Sequence, residues 1–167
     1  MNIKLIMVDC EEGLINNIPN HQDNVYHKLD NIVEYINNNS DIIDEVIYTL
    51  PEDKGALIDL FFKKIHNTNF QPNINNIYIH DDKSSILDST NHLNQILHET
   101  TGRWNIYICG VSYNSNIKDL INDYLSIEGD ISILKNCIIY YDKDDNRKLM
   151  REFDKSGVKI LHTDLEN

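Results

Sequence analysis

Residues 105–121 read NIYICGVSYNSNIKDLI and contain a strand, a turn and the start of a helix in succession. The apolar run Asn105–Val111 predicts a buried strand. A helix is predicted over Asn116–Ile127, with Gly129 ending it, because its apolar residues recur at spacings of three and four. A residue at such a helix start faces unpaired backbone N–H groups and the positive end of the helix dipole, which stabilise a thiolate or an oxyanion. In this chain that residue is Asn116.

The rest of the chain repeats the alternation of strand and helix. Apolar runs predict further strands at Ile3–Val8, Glu45–Leu50 (ended by Pro51), Asn76–His80, Ile131–Tyr141 and Val158–Leu161. Helical spacing predicts helices at Asp23–Ile36, Gly55–His66, Thr90–Thr101 and Asn146–Ser156, the last with Leu149, Met150 and Phe153 inward and Gly157 as its cap. This order predicts an α/β fold, a three-layer, doubly wound, mainly parallel six-stranded sheet with helices on both faces. A length of 167 residues fits a single domain, residues 1–167.

Residues that could carry chemistry follow the predicted strands. Ligands of open parallel sheets bind at the carboxyl ends of the strands, near the point where the strand order reverses. Asp9 ends the first strand, where a half-shielded carboxylate can act as a general base, although an Asp there can equally cap a turn. Lys83 follows the third strand and can stabilise an anionic transition state, although an isolated loop lysine is more often a solvated charge. The segments at this edge are 9–12, 49–53, 81–84, 110–116 and 141–145.

Four stretches of the chain together resemble one known family. They are LIMVDCEEG (5–13), HDDKSSILDSTNHLNQIL (80–97), IYICGVSYNSNIKDLI (106–121) and GVKILHTDL (157–165). Their order and spacing resemble those of the isochorismatase-like cysteine hydrolases, which include nicotinamidases and N-carbamoyl amidohydrolases. The resemblance implies a Rossmann-like hydrolase fold for nearly the whole chain.

Carried over by position, the resemblance implies that Asp9 and Lys83 are the family's catalytic aspartate and lysine. The nucleophilic cysteine falls on Asn116. The turn that holds the oxyanion through backbone N–H groups corresponds to Gly110, Val111, Ser112 and Tyr113. An amide side chain cannot form the covalent intermediate of this mechanism.

Three functions follow from this substitution. The first is a pseudoenzyme with a binding or assembly role, because a fold does not by itself imply activity. The second is a hydrolase of a small amide or vinyl-ether substrate that uses Asp9 and Lys83 in altered, non-cysteine chemistry. The third is a structural or interaction protein whose likeness is only to doubly wound folds, such as the flavodoxin-like or response-regulator folds. We predict the first, and whether any enzymatic activity remains stays open.

The three cysteines, Cys10, Cys109 and Cys137, are predicted to be inert residues in buried strands that do not replace the missing nucleophile. They are too few for a secreted disulfide framework, which favours a reducing, cytoplasmic setting. The resemblance implies a metal site of an Asp with histidines after the second strand, but TLPEDKG (49–55) has Glu52 and Asp53 and no nearby histidine. The histidines elsewhere show no paired ligand spacing, so no metal is predicted. No cofactor is predicted, because CEEGLINN (10–17) has a single glycine and so lacks a dinucleotide-binding loop.

Charge and composition limit the partners. The net charge of −12 argues against nucleic acid and against anionic membrane surfaces, and no window is apolar enough to span a membrane. A small-molecule ligand is expected, and the resemblance implies a homo-oligomer. Heavy use of Asn and Ile is typical of an AT-rich genome such as that of a virus or parasite, in which case the setting is the host cytoplasm.

Overall fold

One parallel sheet forms the centre of the molecule. The computed structural model describes residues 3–10, 18, 22–51, 77–80, 105–112, 116–125 and 130–162. Its strands are β1 (Ile3–Val8), β2 (Ile43–Pro51), β3 (Ile77–His80), β4 (Asn105–Ser112), β5 (Asp130–Tyr140) and β6 (Lys159–Leu161). They pair in the order β3-β2-β1-β4-β5-β6, and every pair is parallel. The predicted six-stranded, mainly parallel sheet is confirmed.

Helices cover both faces of this sheet. They are α1 (Gln22–Asn38), α2 (Asn116–Leu125) and α3 (Lys143–Lys155). Alternate residues of a strand point to opposite faces, and β1 is apolar on both. Leu5 and Met7 pack in one core with the apolar stripe of α1, whereas Ile6 and Val8 pack in a second core with α2 and α3. The three-layer arrangement predicted from the alternation is therefore confirmed. Two predicted helices, Gly55–His66 and Thr90–Thr101, lie outside the described residues.

Most bounds differ from the prediction by one or two residues, and in two elements the difference has a clear physical reason. Pro51 was expected to stop β2, but it is the last residue of the strand and pairs with His80 of β3. A proline is tolerated at a strand end because only one ladder N–H is lost there. Helix α3 begins at Lys143 rather than Asn146, because Asp142 caps it and accepts hydrogen bonds from the backbone N–H groups of Asp144 and Asp145.

The end of α3 agrees with the prediction. Gly157 follows the helix with a φ of +85°, the left-handed conformation that glycine adopts readily after a C-cap. Met150 and Phe153 are buried in the second core, and Leu149 packs against it. None of the helices in the described ranges is long and apolar enough to cross a membrane.

The strand order locates the edge where a ligand can bind. The chain moves outward from β1 to β3 and then crosses back to β4, on the other side of β1. This is the Rossmann-type order, and it differs from the 2-1-3-4-5 order of flavodoxin-like and response-regulator folds. The order reverses between β1 and β4, so the crevice at their carboxyl ends is where this architecture binds ligands. Asp9 follows β1, and Gly110–Ser112 end β4.

Candidate functional site

Asp9 lies immediately after β1 in an unusual backbone conformation. Its φ is +51°, which makes it the only non-glycine residue with a positive φ in the described part of the chain. Aspartate tolerates this left-handed region better than most residues, but the conformation still costs of order 1 kcal/mol or more. The residue is 3% exposed, so the half-shielded position expected from sequence is in fact a buried one. A buried carboxylate requires hydrogen-bonding partners.

Thr49, near the end of β2, provides those partners. The Asp9 backbone N–H donates to the Thr49 carbonyl oxygen at 3.1 Å and to the Thr49 hydroxyl at 3.3 Å. The same hydroxyl donates to Oδ1 of Asp9 at 3.1 Å. Val8 pairs with Thr49 in the β1–β2 register, so Asp9, which follows Val8, lies beside Thr49. Thr49 is 1% exposed, so these bonds are shielded from water.

Sequence reasoning missed Thr49. It lay in the segment 49–53 at the predicted ligand-binding edge, but nothing assigned it a role. The available signal was a hydroxyl residue at the end of a strand next to the one that ends in Asp9. Using this signal requires knowing that β1 pairs with β2 and in which register the two strands pair.

Gly110 lets β4 approach β1 at the same edge. It pairs with Val8 and has a φ of +111°, which residues with a side chain rarely adopt. A Cβ atom at this position would lie 2.3 Å from the Val8 carbonyl oxygen and 2.6 Å from the Val8 backbone nitrogen. Glycine is therefore required for the close contact between the end of β4 and the end of β1. Val111 is buried and Ser112 is half-buried at the end of the strand.

Helix α2 begins at Asn116, the position predicted from sequence. Its first turn carries an acidic residue, Asp119, and Ile117, Leu120 and Ile121 anchor the helix in the second core. The structure thus places Asp9 and the end of β4 at the same edge of the sheet, and Ile117 of α2 packs in the core that contains Val8. Lys83 and Tyr113 lie outside the described residues, so their places in the site remain predictions. The catalytic and binding roles of all these residues are likewise predictions.

Solved structures of two amidases and of a further hydrolase share this architecture. The nicotinamidase SaPncA from Staphylococcus aureus matches 99% of this chain over 99% of its own, with a TM-score of 0.71 and 17% identity. N-carbamoylsarcosine amidase from Thermoplasma acidophilum matches over 100% of both chains, with a TM-score of 0.70 and 15% identity. The YcaC gene product of Escherichia coli, an octameric hydrolase of unknown specificity, matches 96% of this chain over 75% of its own, with a TM-score of 0.70 and 11% identity. This chain has the isochorismatase-like hydrolase fold.

The isochorismatase-like fold confirms the architecture that the four sequence stretches implied. At these identities the likeness concerns the fold alone. No protein-family model and no curated protein sequence matches the chain.

The three cysteines of the chain are free and buried, as predicted. All three belong to the core under α1. Burial raises the pKa of the Cys10 thiol far above its usual range, and the nearby Asp9 carboxylate raises it further; a hydrogen bond from the Val111 backbone opposes both effects only in part. Burial likewise raises the pKa of Cys109, with smaller contributions from Cys10 and Cys137. The thiolate is the nucleophilic form, so the raised pKa of Cys10 and of Cys109 opposes a nucleophilic role for either residue.

Metal ligands were not expected at this site. Within the described ranges, no group of three or more His, Cys, Asp or Glu side chains has the arrangement of a metal site. The segment after β2 on which the expectation rested, with Glu52 and Asp53, lies outside those ranges. The absence of a metal therefore remains a prediction.

Proposed function

We propose that this chain is an isochorismatase-like protein without cysteine hydrolase activity, which binds a small molecule in the crevice between β1 and β4. The observation that carries the proposal is the combination of a buried, hydrogen-bonded Asp9 at this crevice with an asparagine at the first position of α2. In the proposal Asp9, Lys83 and Asn116 face one ligand. The backbone of Gly110, Val111, Ser112 and Tyr113 borders it.

The chemistry of residue 116 is the reason for proposing a pseudoenzyme. Covalent catalysis on an amide needs a nucleophile that attacks the carbonyl carbon and later leaves it. A carboxamide nitrogen is not such a nucleophile, because its lone pair is delocalised into the carbonyl group. The described thiols do not compensate, since burial keeps Cys10 and Cys109 protonated. Without a thiolate the crevice retains groups that can hold a ligand but lacks the atom that would attack it.

The same groups indicate what kind of ligand would bind. The start of a helix offers backbone N–H donors and a partial positive charge, both of which suit a carbonyl or carboxylate oxygen. Asn116 could add one donor and one acceptor, and Asp9 an acceptor for an amide N–H. A small planar amide or carboxylate is the ligand class that these groups would recognise.

A panel assay tests the proposal. Purified protein is incubated with nicotinamide, isochorismate and an N-carbamoyl amino acid, and product is measured by chromatography. We expect no turnover above the rate without protein. Turnover that disappears in both Asp9→Asn and Lys83→Ala would overturn the proposal, because it would show a working active site built on those residues.

A specific observation favours a second candidate, a hydrolase that works without cysteine. Asp9 adopts a left-handed conformation and buries a carboxylate, and both features oppose folding. Residues held in such conformations cluster at active sites. In this candidate Asp9 removes a proton from a water molecule as the water attacks the carbonyl carbon of an amide, Lys83 stabilises the oxyanion, and Asn116 positions the substrate. The tetrahedral intermediate then collapses, the C–N bond breaks, and the amine leaves with the proton that Asp9 held.

The variant Asn116→Cys distinguishes the two candidates. If only the nucleophile is missing, the variant should hydrolyse nicotinamide or an N-carbamoyl substrate, while the wild type does not. The matched control is Asn122→Cys, which places a thiol on an exposed position of the same helix and should remain inactive. A wild type that is already active, and loses activity in Asn116→Cys, would instead support the non-cysteine hydrolase.

We also propose a homo-oligomer in a reducing, cytoplasmic setting. Free, buried thiols fit a reducing compartment, and a structurally similar protein is described as an octamer. Light scattering coupled to size-exclusion chromatography tests the assembly. A mass of 19.5 kDa at all concentrations would show a monomer and contradict this part of the proposal.

A further inference from the structure

Two neighbouring strands hold the segment that follows β1. Thr49 at the end of β2 binds both the backbone N–H and the carboxylate of Asp9. On the other side, the Val111 backbone in β4 donates a hydrogen bond to the sulfur of Cys10. Asp9 and Cys10, the two residues after the central strand, are therefore each attached to a different neighbouring strand.

The Thr49 hydroxyl does something that few side chains can do. A hydroxyl group has one donor and two acceptor sites, so it can accept the Asp9 N–H while donating its own proton to the Asp9 carboxylate. Valine has the same shape but neither capacity. Serine has both capacities and lacks only the methyl group. The hydroxyl thus binds both the backbone N–H of Asp9, which is in its left-handed conformation, and the Asp9 carboxylate.

We propose that Thr49 is the positioning residue of the site, which fixes the Asp9 carboxylate for its work in the crevice. The inference rests on the proposed function in that it takes Asp9 as a functional group of the site. It goes beyond that function in assigning a role to a residue that does not itself face the ligand. Bonds from a buried hydroxyl to a charged carboxylate are stronger than those between neutral groups, and they persist because water is excluded.

The first experiment reads the position of Asp9 directly and needs no activity. Crystal structures of Thr49→Val and Thr49→Ser are compared with that of the wild type. In Thr49→Val we expect the Asp9 carboxylate to rotate away or to occupy more than one rotamer, and in Thr49→Ser to keep the wild-type position. An unchanged, single Asp9 rotamer in Thr49→Val would overturn the proposal. If Thr49→Val fails to fold, Thr49→Ala and Thr49→Cys provide the same comparison, since neither reproduces the hydroxyl geometry.

The second experiment uses the activity gained by Asn116→Cys. In that background we expect Thr49→Val to lower kcat for nicotinamide about 10- to 100-fold with little change in KM, because a displaced catalytic group affects the chemical step. Thr49→Ser should restore kcat to within a few-fold. Ser132→Ala is the matched control, because it removes a buried hydroxyl from β5 away from Asp9 and should change neither constant.

The outcomes separate the two proposals. An inactive Asn116→Cys protein would remove the kinetic readout and count against an intact amidase site, while the crystal structures would still decide the role of Thr49. An active Asn116→Cys protein whose kcat is unchanged by Thr49→Val would refute the positioning role and leave the proposed function in place. Equal losses in Thr49→Val and Ser132→Ala would also refute it, since they would reflect general destabilisation.

Discussion

The close contact between β1 and β4 makes a strong prediction for Gly110→Ala. The new Cβ would lie 2.3 Å from the Val8 carbonyl oxygen, where ordinary contacts begin near 3.4 Å, so the overlap is 1.1 Å (3.4 − 2.3). The atoms it meets are backbone atoms of the central strand, which cannot move aside as a flexible side chain can. Forcing an extra methyl group into a packed core costs about 1–3 kcal/mol, and the φ of +111° adds about 1–3 kcal/mol for a residue with a side chain.

Together these terms predict a loss of about 2–6 kcal/mol in the free energy of unfolding. Gly157→Ala is the matched control, because Gly157 also has a positive φ, +85°, but nothing lies within 4 Å of the position that its new methyl group would take. Gly157→Ala should lower the free energy of unfolding only by the conformational cost of the positive φ, about 1–2 kcal/mol. The difference between the two variants therefore reports mainly the steric part.

Urea unfolding followed by circular dichroism provides the assay. With a slope of about 1–3 kcal/mol per molar urea, Gly110→Ala should lower the midpoint by at least about 0.7 M, and the control should lower it by clearly less. Equal midpoints for the two alanine variants would refute the reasoning. They would mean that β4 does not approach β1 as closely as described, and the crevice built on that contact would need revision.

Three further predictions concern stability. Asp142→Ala should destabilise the protein by about 1 kcal/mol because it removes the cap of α3, whereas Asp142→Asn should keep the cap; urea midpoints measure both. Asn31→Ala should cost about 1–2 kcal/mol, since the buried Asn31 amide donates to the Asn136 carbonyl oxygen at 2.9 Å, and the exposed Asn37→Ala on the same helix should have little effect. The free energy of unfolding should fall as the pH rises above about 9, because burial raises the pKa of Cys10 and Cys109 above the values of the unfolded chain. The unfolded state then loses its thiol protons at a lower pH than the folded state. Cys109→Ala should flatten this decline between about pH 8 and 10.5.

The sheet was predictable from sequence because its strands are buried on both faces. Such strands are continuous apolar runs, and β1 was predicted with its observed bounds, Ile3–Val8. Helix α1 was found within two residues at either end, because its apolar stripe has the helical period over more than three turns. The residue pattern within each segment was enough to predict these elements.

Other features depend on contacts between segments and could not be read from one segment. The bond between Thr49 and Asp9 joins residues 40 positions apart, and it exists because β1 and β2 are neighbours in a particular register. The register of β4 with β5 also shifts, from Ile108 opposite Ile133 to Gly110 opposite Ile138. No local pattern marks that shift. The start of α3 was missed for a different reason, since its first turn is polar and only the cap at Asp142 marks it.

The way Asp9 is held determines how the Asn116→Cys experiment can be interpreted. Thr49 in β2 binds the Asp9 carboxylate, and Gly110 holds the end of β4 against the end of β1. Residue 116 belongs to a helix that is anchored in the core by Ile117, Leu120 and Ile121. A substitution at 116 can therefore remove or restore one reaction without moving Asp9. An inactive Asn116→Cys protein with Asp9 still bonded to Thr49 would locate the defect in Lys83 or in the loops that contact the substrate, rather than in the sheet.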